Sequence, residues 1–80
     1  MAKLVIISRQ RNLQVGVWYR GLAVVPGVPP DPQVRYKILA RVTAKDWIEY
    51  TAYRSPASRV ASEAAAADPG FCYYVVETTD

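Results

Sequence analysis

The sequence predicts a small α+β domain: a four- to five-stranded, mainly antiparallel sheet with one helix packed on one face, in the order β-β-β-β-α-β. Three observations carry that expectation. Two-residue alternation runs from residue 34 to 54, a Ser55-Pro56 pair opens an alanine-rich stretch, and an apolar run at 71–78 follows a Pro69-Gly70 turn.

The first strand is expected at residues 4–7, a short, continuously apolar, β-branched run that suits a strand covered on both faces or central in a sheet. A basic connection at 9–12 leads to a longer β-rich run, 14–25, containing Val15, Val17, Tyr19, Val24 and Val25. Gly16 and Gly21 interrupt it, and glycine inside a strand marks a bulge or a close backbone approach, so this strand is expected to bend near Arg20 and Gly21. Trp18 and Arg20 share a face before the bend. Residues 26–32 hold four prolines, which lack a backbone donor and fix φ, so the segment reads as a stiff connector. Its Pro26-x-x-Pro29 and Pro29-x-x-Pro32 spacing also matches polyproline ligands, but the flanking residues are not distinctive.

In the central alternation, Tyr36, Ile38, Ala40 and Val42 interleave with Arg35, Lys37, Leu39 and Arg41, and then Ile48, Tyr50 and Ala52 interleave with Trp47, Glu49, Thr51 and Tyr53. Ala44, Lys45 and Asp46 separate the two runs, which predicts an antiparallel hairpin. With Thr43 facing Trp47, Val42 meets Ile48, Ala40 meets Tyr50 and Ile38 meets Ala52 on an apolar face. Arg35, Lys37, Arg41, Trp47 and Tyr53 then share the opposite face. Ser55 offers an N-cap oxygen and Pro56 sits at the first helical position, so a helix is expected from there to about Ala67. Asp68-Pro69 stops it, and Ala57, Val60, Ala61, Ala64 and Ala67 form its inward stripe. The last strand places Cys72, Tyr74 and Val76 on one side and Phe71, Tyr73 and Val75 on the other. If it runs parallel to its predecessor, the crossover through the helix should be right-handed.

Eighty residues suffice for a single domain, residues 1–80, and at this size burial barely exceeds ordering costs, so self-association is expected. Cys72 is the lone cysteine, which excludes an intramolecular disulfide and points to a reducing compartment, the cytoplasm by default. The apolar run near the N-terminus is too short for a signal peptide, and no stretch is long enough to cross a bilayer. The net charge of +3 conceals a division: residues 1–45 hold eight basic side chains against Asp31, whereas 46–80 hold Arg54 and Arg59 against six acids. Either a basic surface meets an anionic partner, or the two halves face each other.

The chain has no histidine, so the usual base near neutral pH and the commonest metal ligand are missing. A lone Cys72 in an apolar strand reads as a buried structural thiol, and the carboxylates read as turn, cross-strand and helix-end charges. No phosphate-cradling loop and no zinc or calcium spacing is present. No enzyme activity, cofactor, metal or membrane is expected.

The expected function is a small non-catalytic protein-binding module, an inhibitor, adaptor or accessory factor. It would self-associate as a homodimer through an uncovered aromatic and basic sheet face made by Trp18, Arg20, Arg35, Lys37, Arg41, Trp47 and Tyr53. The alternative is nucleic-acid binding, with Arg35, Lys37 and Arg41 on phosphates and Trp18, Trp47 or Tyr53 stacked on bases.

Overall fold

The computed structural model describes residues 2–25 and 27–78; Pro26, the first proline of the expected connector, lies outside them. The elements are β1 (Ala2–Ser8), β2 (Trp18–Arg20), β3 (Arg35–Val42), α1 (Ala44–Arg54), a 3-10 turn (Pro56–Ser58), α2 (Arg59–Ala66) and β4 (Cys72–Thr78). The four strands form one antiparallel sheet in the order β1-β4-β3-β2. The class is the expected small α+β fold. The element order is β-β-β-α-α-β, and the last strand is antiparallel to both neighbours, so no right-handed crossover arises.

The expected hairpin partner at residues 47–53 is instead the helix α1. Thr43 caps it: its Oγ1 accepts from the Asp46 N–H at 3.3 Å, while Asp46 Oδ2 accepts from the Thr43 N–H at 3.1 Å and from its hydroxyl at 2.8 Å. This reciprocal box satisfies two donors that the helix start would otherwise leave orphaned. Trp47 is buried, and Ala44, Ile48 and Thr51 are half-buried, at the spacing of one helical stripe.

Ser55 ends α1, its N–H donating to the Thr51 carbonyl at 2.8 Å, and its side chain does not cap the 3-10 turn. The second helix therefore starts later than expected and turns a different stripe inward. Val60 is 80 % exposed, while Ser62 is buried and Ala65 and Ala66 are half-buried. The Thr51 hydroxyl, which donates to the Ile48 carbonyl, lies 2.8 Å from the Ser62 hydroxyl and sets this rotation. The alanines at 61, 64, 65 and 66 add little apolar bulk to compete with that contact. The stop before Asp68-Pro69 is as expected, with Ala67 as the C-cap.

The 14–25 run keeps three residues of strand because Gly16 and Gly21 adopt φ of +85° and +70° on either side of it. These left-handed values suit glycine and turn the chain, at Gly21 where the bend was expected.

A register shift at Leu39 decides which side chains share a face. Ile38 pairs with Val76 and Ala40 with Val75, so two steps on β3 match one on β4. An extra residue of this kind inverts the alternation beyond it. Tyr36 and Ile38 thus lie on one face and Ala40 and Val42 on the other, rather than all together.

Both faces carry a core. On the first, Ile6, Leu22, Tyr36, Ile38, Cys72, Tyr74 and Val76 are buried beneath Leu13, Val24 and Val34 from the long connections. The Tyr74 hydroxyl donates to the Gln10 carbonyl at 2.9 Å and ties one connection down. On the second, Ile7, Trp47 and Tyr73 are buried, with Val5, Val42, Ile48, Ala65 and Phe71 around them. The continuous apolar run of β1 thus reflects cover on both sides, at an edge and not at the centre of the sheet.

Candidate binding face

The helices cover the half of their face where β1 ends and β4 begins, through Val5, Ile7 and Tyr73. The other half, toward β2, is open. Register places Trp18 beside Lys37 and Arg20 beside Arg35, and Lys37 in turn is beside Glu77, which is beside Lys3. Arg20, Arg35 and Lys3 are exposed, and Trp18, Lys37 and Glu77 are half-buried. The Arg35 guanidinium carbon lies 5.5 Å from the Trp18 ring centroid, within cation–π range.

Four of the seven residues expected to share a face, Trp18, Arg20, Arg35 and Lys37, therefore do so. Arg41 does not: the Leu39 bulge turns it to the opposite face, where it donates to Cys72 Sγ at 3.2 Å. Trp47 lies under α1, 6 % exposed, because its segment is helical and its inward stripe needs a large side chain over Tyr73. Tyr53, 88 % exposed, stands on the outer side of α1 and away from the sheet. Lys3 joins the face unforeseen, since only the strand order puts β1 beside β4. Neither sheet face is wholly bare: long connections cover one and the helices cover half of the other.

The electrostatics of the open half are mainly positive, with Glu77 set among four cations. Among the described residues the ion pairs are Arg9–Asp68 at 3.0 Å and Arg59–Glu63 at 2.9 Å, so Lys3, Arg20, Arg35 and Lys37 lack a carboxylate within salt-bridge distance. Part of the charge division along the sequence is answered internally. Arg9 bridges to Asp68 and lies over the Phe71 ring at 4.2 Å. Arg20 directly opposite Arg35 is a like-charge cross-strand pair, which costs stability unless an outside anion offsets it.

Other chemistry is structural. The Gly70 N–H and then Arg9 hold the Asp68 carboxyl below its ordinary range, and Thr43 does the same for Asp46. Cys72 is buried. Among the described residues no three of Cys, Asp and Glu gather where a metal could sit, and no helix is long and apolar enough to cross a membrane. A separate cleft of about 530 Å³ runs between the β1 edge, Val24, Val25 and the two helices. No protein-family model, curated protein or solved structure matches the chain.

Proposed function

We propose that the chain is a non-catalytic protein-binding module of the reducing cytoplasm, and that it holds an acidic protein surface against the open half of its sheet. The observation that carries this reading is the clustering of Trp18 with Arg20, Arg35 and Lys37 where the helices leave the sheet uncovered. Tryptophan and arginine are the residue types that dominate interface energetics, and here they share one accessible patch. A homodimer through the same patch is disfavoured, because it would set Lys3, Arg20, Arg35 and Lys37 against the same four with Glu77 alone to offset them.

Nucleic acid is the second reading, supported by the same cations. It ranks lower because the Arg35 guanidinium already lies over the Trp18 indole, and a stacked base would have to displace it. The test is affinity capture from the native host with wild type, Trp18→Ala and the Arg20→Glu/Arg35→Glu double variant. A partner retained by wild type, lost from both variants and insensitive to nuclease supports the protein reading. Capture that survives charge reversal removes it. Quenching of Trp18 fluorescence by oligothymidylate, with affinity falling steeply as salt rises, moves the assignment to nucleic acid.

A further inference from the structure

β1 is an edge strand, and its outer side is almost unpaired. On β3, the Ile38 N–H donates to the Val17 carbonyl at 3.2 Å and its carbonyl accepts from the Gly16 N–H at 2.8 Å, so Ile38 serves the β2 side. By alternation Lys37 exchanges bonds with Glu77, and the even-numbered residues of β4 serve β1. Leu4 and Ile6 therefore bond β4, and Lys3, Val5 and Ile7 turn their N–H and carbonyl groups outward. The Ile7 N–H fits this phase, donating outward to the Val24 carbonyl at 3.5 Å. Among the described residues nothing pairs with the outward groups of Lys3 and Val5.

Val5 lines a cleft of about 530 Å³ together with Leu4 and Ile6, and Lys3 lies just beyond its lining. Trp47, Tyr50, Ala61 and Ala65 form its helical wall, and Val24 and Val25 the other. Among the described residues Arg54 is its one charged lining residue, held by the Tyr50 hydroxyl at 3.2 Å and lying 5.6 Å from that ring, with no carboxylate partner. An apolar slot with a free strand edge along its floor is the geometry that accepts an added strand.

We infer that this cleft takes an extended peptide from a partner protein, added beside β1 as a fifth strand, with apolar side chains in the slot and a carboxylate facing Arg54. Charge and register argue against β1 of a second copy. Antiparallel self-pairing needs outward residues opposite one another, and with Ile7 engaged by Val24 it sets Lys3 of one copy opposite either Lys3 or Val5 of the other. That puts a lysine on the helix side, toward Arg54, where an acidic side chain is attracted instead. The site lies at the opposite edge of the sheet from β2 and shares with the open half-face only Lys3, whose backbone it uses.

The test uses the ¹⁵N-labelled chain and three blocked peptides: one alternating valine with glutamate, the same peptide N-methylated at the residues that face β1, and one alternating valine with lysine. The first should shift the Lys3 and Val5 amide resonances and slow their hydrogen exchange by about tenfold or more. N-methylation, lysine for glutamate, and Arg54→Glu in the protein should each weaken binding about tenfold, whereas Arg35→Glu should leave it unchanged. Equal binding of the methylated and unmethylated peptides, or no binding at millimolar peptide, overturns the inference. So does a peptide-free dimer in which the Lys3 and Val5 amides are already protected.

Discussion

Replacing Trp47 with alanine should remove a large share of the chain's stability and not merely weaken a contact. The indole is 6 % exposed, its ring centroid is 5.7 Å from that of Tyr73 at an interplanar angle of 43°, and it packs in one cluster with Ile7. It is the largest side chain joining α1 to the sheet, so its removal leaves a void that the small Ala44 and Ala65 cannot fill. Buried Trp→Ala changes cost about 3–5 kcal/mol. At about 0.05–0.15 kcal/mol per residue, a chain of 80 residues has roughly 4–12 kcal/mol of stability in total. Trp47→Ala therefore removes between a quarter and all of it. In urea, with a slope of about 1 kcal/mol per molar for a chain this small, the midpoint by far-UV circular dichroism should fall by about 3 M, or the variant should be unfolded without denaturant. Trp18→Ala, on the open half-face, should cost under about 1 kcal/mol. A Trp47→Ala shift below about 0.5 M, or a larger loss for Trp18→Ala, would refute this account of the helix-side core.

Thr43→Ala removes the side-chain half of the cap on α1 and should cost about 1 kcal/mol, read as a lower urea midpoint and faster amide exchange in the first turn of α1. The Thr43 N–H and hydroxyl hold the Asp46 carboxyl below its ordinary 3.8, and Gly70 and Arg9 do so for Asp68. Both carboxylates are favoured in the folded state, so their stabilisation is full above about pH 3.8 and is lost as pH falls through the folded values. Carboxyl NMR titration showing either midpoint at or above 3.8 contradicts the geometry. At the alkaline end, burial raises Tyr36, Tyr73 and Tyr74 above 10.0, with Asp31 adding to the effect at Tyr36 and Asp68 at Tyr73. The folded state favours the neutral phenols, so stability present below pH 10 is lost as pH rises above it. Ultraviolet titration should show these three ionising only above 10.0, and unfolding should bring them back to it.

Several elements were legible because local sterics decide them. Tyr36 and Ile38 alternate with Arg35 and Lys37 as a strand must, Gly21 marks a turn that needs positive φ, and Pro69 ends a helix whatever surrounds it. The same alternation placed Trp18 with Arg20 and Arg35 with Lys37, and pairing of β2 with β3 joined the two couples into one face. A further signal was present at Thr43-x-x-Asp46, a capping pair ahead of an apolar stripe, which marks residues 44–54 as a helix start.

Tertiary structure decided the rest. Residues 47–53 satisfy both a two-residue and a 3.6-residue period, and burial of Trp47 on Tyr73 together with the Thr51–Ser62 contact selects the helix. The Leu39 bulge has no glycine or other local mark. It exists because Ile38 packs among the connections on one face while Val42 packs beneath α1 on the other, and one extra residue is the shortest way to turn both inward. Which half of the sheet stays open, and which strand keeps a free edge, depends on two helices landing over Ile7 and Tyr73 rather than over Lys37. Those contacts join residues far apart in the sequence, and no local pattern encodes them.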